Sequence, residues 1–190
     1  MKLVFASHNP NKIIEIKALL PQNFEILSLD DIGCHDEIPE TADTIEGNAL
    51  LKANFVATHY GLDCFADDSG LEVDALNGAP GVFSARYAGN QKNSQDNNKK
   101  LLQEMQGKSN RKANFKTVIA LNLKGENYLF TGIVNGKIAL EQRGIHGFGY
   151  DPVFEPEGFS YTFAEISATE KAKISHRARA VTQLIAFLKN

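Results

Sequence analysis

The chain has no tryptophan, two cysteines among its 190 residues, and no surplus of basic charge. Each scarcity closes a class of function. Cys34 and Cys64 lie far apart with no C-x-x-C partner, so they read as reduced small hydrophobes rather than a disulfide or a metal site. A net charge of −3 and a pI near 6.0 leave no basic stripe for a long nucleic-acid polyanion, although a small anion held by a few local cations stays open. No apolar run is long enough to span a bilayer, and the opening "MKLVFASHNPNK" is too briefly apolar for a signal peptide, which places the expectation in the cytoplasm. There is no G-x-x-x-x-G-K-[ST] loop. The histidines His8, His35, His59, His146 and His176 show no H-x-x-x-H or Cys/His spacing for zinc. Ser69 lacks the G-x-S-x-G setting of a hydrolase elbow.

What remains is ordinary globular composition, 43% hydrophobic and 23% charged, in a length that fits one domain over residues 1–190, with room for two lobes. Apolar runs bounded by turn residues alternate with segments of helical period, which predicts an α/β fold. "KLVFAS" reads as a buried strand, and Ile13, Ile16, Leu19 and Leu20 give the next helix an apolar stripe that Pro21 stops. "FEILSL" is a second strand. From Asp43 to Tyr60 a helix places Ile45, Ala49, Ala53, Val56, Ala57 and Tyr60 on one face, with Gly61 as its cap. "DCFAD" reads as a third strand. A polar helix follows around "QDNNKKLLQEMQG", and then "FKTVIALNL" and "YLFTGIVNGKIAL" flank the hairpin signal "KGEN", which makes the sheet mixed. Helical pattern closes the chain from Ser167 to Lys189, opened by a capping box of Ser167 and Glu170.

Five stretches could carry chemistry. In "FADDSG", Asp67 and Asp68 stand side by side where the third strand is expected to end. On an extended chain the pair faces opposite ways, so its members divide their duties. A divalent cation such as Mg²⁺ would offset their repulsion and lost hydration, and it commonly combines one or two carboxylates with substrate phosphates. The plainer reading makes both aspartates caps for turn amides ahead of Gly70. "PETADTIEGNA" brings Glu40, Asp43 and Glu46 to a helix start that favours acids anyway, and Glu40, outside the helix, is the least explained by capping. "SHNPNK", Ser7 to Lys12, turns from strand to helix, where amides and dipole attract phosphate; an ordinary polar turn would look the same. "GFGYDP" offers Phe148 for stacking on a planar ring, or simply core aromatics in a glycine-rich turn. "EKAKISHRARA" gathers Lys171, His176 and Arg177, donors for a phosphate or a purine oxygen or else a solvated face.

In this order, "SHNPNK", "ET" with "EGNALLKA", "ADDSGLEVDALNGAPGVFSARYAG", "GFGYDPVF" and "EKAKISHRARA" resemble the inosine triphosphate pyrophosphatase family across nearly the whole chain. The resemblance implies an elongated mixed α/β sheet in two lobes with flanking helices and the nucleotide in a cleft between them. It implies Mg²⁺-dependent hydrolysis of noncanonical purine triphosphates (ITP, dITP, XTP) to monophosphate and pyrophosphate, in a homodimer. By matched motif it implies phosphate contacts from Ser7, His8, Asn9, Pro10, Asn11 and Lys12, metal contacts from Glu40 and Asp68, and proton acceptance by Asp68. Asp67 would be a supporting acid. Ser69, Phe148, Gly149, Tyr150, Asp151, Lys171, His176 and Arg177 would hold the rest of the substrate. The sequence departs from the family pattern at "SHN", "ETA" and "HRA"; Ala42, in place of a glycine, removes positive-φ freedom two residues after Glu40. Two other readings stand beside this one: a related pyrophosphatase for modified pyrimidine triphosphates, and a nucleotide sensor that does not hydrolyse.

Overall fold

A computed structural model describes residues 1–189. Its strands are β1 (Lys2–Phe5), β2 (Glu25–Leu27), β3 (Cys64–Val73), β4 (Lys112–Leu123), β5 (Glu126–Ile138) and β6 (Phe154–Pro156). Its helices are α1 (Pro10–Leu19), α2 (Ile45–Tyr60), α3 (Ser94–Glu104), α4 (Ala168–Ile174) and α5 (His176–Leu188). The strands form one sheet in the order β2-β1-β3-β4-β5-β6. β1 runs parallel to β2 and β3, and β6 runs antiparallel to β5, so the sheet is mixed as the hairpin signal implied. The chain divides into two compact units, each with its own core. The first takes Met1–Asp68, Thr117–Gly132 and the chain from Arg177; the second takes Ser69–Lys116 and Ile133–His176.

In the first unit, Leu3, Phe5, Phe65, Ile119 and Leu121 from the strands meet Ile16 of α1 and Val181 and Leu184 of α5. Phe5 and Phe65 stack at 4.9 Å. In the second unit, Leu71, Phe115 and Phe154 from the strands meet Leu101, Phe163 and Ile166. No helix among the described residues is long and apolar enough to cross a membrane. Both cysteines are free and buried, and burial pushes the Cys64 thiol up to about 12, so Cys64 is not a thiolate nucleophile at neutral pH.

Local chemistry explains the element ends. Asn9 caps α1 by accepting the Asn11 and Lys12 N–H groups, and Pro10 takes the first helical position, where a missing N–H costs nothing. Thr44 caps α2, and Gly61 closes it at φ 64°. Ser167 and Glu170 form the expected capping box, yet the helical pattern they open is two helices, broken at extended Ser175. A second correction matters more: β3 does not end at the aspartates but runs on to Val73, so Asp67 and Asp68 lie within a strand rather than in a turn. Turn-favouring residues here are overridden by pairing and burial. Ala42 needs no left-handed backbone, since among the described residues the non-glycines with positive φ are Asn77, Lys92 and Lys124.

The β5–β6 pairing depends on a missing side chain. Gly136 faces Pro156 in register, and a Cβ added to it would lie 2.2 Å from the Glu155 carbonyl oxygen and 2.7 Å from the Phe154 ring. Backbone cannot yield as a flexible side chain would. Gly136→Ala is therefore expected to destabilise the protein by about 1–3 kcal/mol, the range for overpacked sites, as read from the urea midpoint.

Candidate active site

Strand pleating settles what the doubled aspartate does. Successive residues of β3 point to opposite faces, and the two carboxylates meet different cations. Asp67 is fully buried. Its Oδ2 accepts from Nε and Nη2 of Arg177 at 3.1 Å each, and its Oδ1 lies 3.0 Å from Lys12 Nζ. Arg177, 1% exposed, also donates through Nη1 to Glu15. Burial alone would raise the Asp67 pKa, but Lys12 and Arg177 overcome it and hold the carboxyl well below the usual range. Burial lowers the Lys12 pKa against the pull of Asp67.

Asp68 belongs to a second group. Lys52, on the buried face of α2, puts Nζ 2.5 Å from Glu40 Oε1 and 3.6 Å from Asp68 Oδ1. Two carboxylates 28 residues apart in sequence thus converge on one ammonium. Burial pushes the Asp68 pKa up, with Glu40 and Asp67 adding to it, and Lys52 and Lys12 only partly oppose them. Lys52 itself is raised: burial works against its charge, but Asp68 and Glu40 outweigh it. Among the described residues no group of three or more His, Cys, Asp or Glu side chains is arranged to hold a metal. The pair Glu40 and Asp68 nonetheless suits a hard cation that takes its other ligands from water and phosphate, because both already contact a single positive charge.

The turn Ser7–Lys12 is largely self-satisfied. Ser7 Oγ accepts the Asn9 N–H at 3.2 Å, and Asn9 Oδ1 accepts from Asn11 and Lys12 at 3.0 and 3.2 Å. His8 is exposed with Nε2 3.1 Å from the Asp36 carbonyl oxygen, and Pro10 and Asn11 are exposed as well. The plainer role, capping, is thus filled by the same residues that the resemblance assigns to phosphate.

In the second unit the loop from Gly147 to Asp151 folds around one carboxylate. Asp151 Oδ2 accepts the Phe148 N–H at 2.8 Å and the Lys171 ammonium at 2.6 Å. Gly147, at φ 72°, allows that approach, since a Cβ there would sit 2.1 Å from the same oxygen. Lys171 Nζ lies 4.9 Å from the centre of the half-buried Phe148 ring, in cation–π range. Tyr150 points into the protein and donates its hydroxyl to the Ser84 carbonyl at 2.8 Å, and burial raises its pKa. The Gly149 carbonyl accepts from Asn98 at 2.9 Å. His176 is buried and stacks on Phe115 at 4.5 Å, nearly parallel. Ser69, half-buried, follows Asp68 on β3. Of the three residues grouped by sequence, Lys171 and His176 both lie against the Phe163 ring, at 5.7 and 6.4 Å, whereas Arg177 bonds to Asp67 and Glu15.

Lys52, Glu15 and Asn98 join these groups without belonging to any of the five sequence stretches as candidate residues. Lys52 left a readable trace: it follows Asn48 and Ala49 on the apolar face of a helix, where an unpaired charge is not tolerated. Asn97 and Asn98 are likewise buried polar residues on a helix that reads as polar all round. Glu15 had no local signal.

The sequence pattern of the Ham1 family matches residues 3–187, and the chain belongs to that family. It is 63% identical over 190 residues to the dITP/XTP pyrophosphatase of Flavobacterium psychrophilum, covering 100% of both chains. It is 46% identical over 189 residues to the dITP/XTP pyrophosphatase of Bacillus subtilis, covering 97% of this chain and 96% of the other. Among solved structures, the Staphylococcus aureus Ham1 protein superposes with a TM-score of 0.91 at 39% identity, covering 100% of this chain and 98% of the other. The nucleoside-triphosphatase, dITP/XTP pyrophosphatase of Mycobacterium abscessus gives 0.80 at 43% identity, covering 97% and 98%.

The Asp67 cluster carries a pH signature. A carboxyl whose folded pKa lies below its unfolded value of about 3.9 stabilises the fold above that value, and the contribution is lost as pH falls toward the folded pKa. Asp67→Asn leaves Arg177 and Lys12 buried with a partner short, so unfolding at pH 7 should cost about 3–5 kcal/mol less than in the native chain. That gap should narrow below about pH 4. Urea titrations across pH 2.5–7 check both the size and the narrowing.

Proposed function

We propose that this protein hydrolyses dITP, ITP and XTP to the monophosphate and pyrophosphate with Mg²⁺ as cofactor, as one functional domain in a cytoplasmic homodimer. The observation that carries the reading is the convergence of Glu40 and Asp68 on a single cation. The names of full-length relatives, dITP/XTP pyrophosphatase, support the substrate class.

In this reading Glu40 and Asp68 hold Mg²⁺, which when bound neutralises phosphate charge and draws electrons from the phosphorus under attack. Asp68 takes the proton of the attacking water. Burial lifts the Asp68 pKa in the metal-free site whereas Lys12 and Arg177 hold Asp67 ionised, so of the two Asp68 is the one suited to take up a proton. Asp67, held ionised by Lys12 and Arg177, is the supporting acid that keeps those cations in place. Lys12, with Ser7, His8, Asn9, Pro10 and Asn11, takes the phosphates. Ser69 touches substrate, and the loop from Phe148 to Asp151 with Lys171 takes the base, Phe148 by stacking. His176 and Arg177 would complete the substrate contacts by matched motif, with their side chains already stacked on Phe115 and donating to Asp67. A 6-keto purine offers O6 as an acceptor, whereas adenine offers a donor there, and such mismatches cost up to roughly 10⁴-fold.

A panel of triphosphates with Mg²⁺, read by pyrophosphate release, tests metal, reaction and base together. ITP, dITP and XTP should turn over fastest. Faster release from modified dUTP or dTTP would favour the pyrimidine reading, and binding without release the sensor. Asp68→Asn should abolish turnover while leaving the thermal midpoint unchanged or higher, because it removes an incompletely compensated buried charge.

A further inference from the structure

Helix α2 does more than present Lys52. Asn48 is 1% exposed, and its Oδ1 accepts the N–H of Ala42, two residues after Glu40, at 2.9 Å. Gly47 lies so close to the same loop that an added Cβ would sit 2.6 Å from the Ala42 Cβ and 3.0 Å from Thr44 Oγ1. Thr44 Oγ1 in turn accepts the Gly47 N–H at 3.0 Å. Residues 42–44 are thus fastened to the first turn of the helix whose next turn carries Lys52. Pro39, Thr41, Asp43 and Thr44 are exposed, so burial does little to hold this loop.

We propose that Asn48, with Gly47 as the gap that admits Ala42, is a positioning residue for Glu40. It sets the loop so that the Glu40 carboxylate stands over the same cation as Asp68. The inference rests on the assignment of Glu40 and Asp68 as metal ligands. The chemistry of Asn48 fits the role. Its Nδ2 is buried with no hydrogen-bond partner, a destabilising feature that an apolar residue would avoid. What the site uses is the neutral acceptor: aspartate would also accept from Ala42, but it would set a further carboxylate on the helix that carries Lys52. Partners that orient metal ligands are commonly worth 10-fold to 100-fold in metal affinity.

The test uses the full chain, with Mn²⁺ as a spectroscopic probe in the absence of nucleotide and amide hydrogen exchange at Ala42. Asn48→Ala should speed exchange at the Ala42 amide and weaken Mn²⁺ by about 10-fold or more. The Mg²⁺ concentration for half-maximal turnover should rise by a similar factor, with kcat at saturating Mg²⁺ nearly kept. Gly47→Ala should act the same way through its collision with Ala42, although alanine is the better helix former. Adding Ala42→Gly to Gly47→Ala should restore most of the metal affinity, a rescue that general destabilisation would not show. Glu40→Gln separates the two claims. If it leaves Mn²⁺ affinity unchanged, the ligand assignment fails and this inference with it. If it weakens Mn²⁺ while folded Asn48→Ala binds as the native chain does, the positioning role alone is overturned. Should Asn48→Ala not fold, the Gly47 and Ala42 pair decides, and absence of loss or of rescue overturns the proposal.

Discussion

Two neighbouring carboxylates on one extended strand cannot share a counter-ion, and that constraint organises the polar centre of the first unit. The pleat of β3 sends Asp67 and Asp68 to opposite faces, and each must be compensated where it lands. Asp67 lands in full burial and is met by Arg177 and Lys12. Asp68 lands beside Glu40 and shares Lys52 with it. Of the side chains named here, Arg177, Lys12 and Lys52 face Asp67, Glu15, Glu40 and Asp68, so one negative charge is in excess, and it falls on the Glu40 and Asp68 side. A site short of positive charge in a partly dry setting is one that a divalent cation would complete.

The rest of the first unit serves that placement. α1 carries Lys12 and Glu15 one turn apart, so a single helix supplies a cation to Asp67 and an anion to Arg177. α5 supplies Arg177 in its first turn. α2 gives Lys52 from its buried face and receives the Glu40 loop on its first turn. Removing Asp67, Lys12 or Arg177 leaves a buried partner uncompensated, which makes that group a stability element. The loop of the second unit follows the same rule on a smaller scale, with Asp151 neutralising the Lys171 that lies over Phe148.

Much of the architecture was legible because it is written locally. Gly61 after an apolar-faced helix, Ser167 with Glu170, and "KGEN" between two apolar runs each specify geometry within a few residues, and the structure follows each. Glu40 was legible as the acid least explained by capping, and strand alternation required Asp67 and Asp68 to part, but the choice of Asp68 as the companion of Glu40 came from the family resemblance. The extent of β3 was not legible: Asp, Ser and Gly in succession carry turn chemistry, and only pairing within the sheet overrides it. Nor was Arg177, whose two carboxylate partners are 110 and 162 residues away. Nothing in "SHRAR" separates a solvated basic run from a buried strut, because the deciding burial comes from elsewhere in the chain.

In the proposed reaction the asymmetry within the aspartate pair would divide the work between its members. A general base must gain a proton during reaction, so a carboxyl held strongly ionised by two cations is poorly suited to the task. Asp67 is in that state, and its value lies in remaining charged. Asp68 keeps a raised affinity for a proton because burial and Glu40 work against its charge and Lys52 only partly restores it. One strand thereby presents a fixed anion and an adjustable one a single residue apart. Exchanging their surroundings, by moving compensation from Asp67 to Asp68, would stabilise the wrong member: it would leave an uncompensated charge in full burial and remove basicity from the residue that faces Glu40.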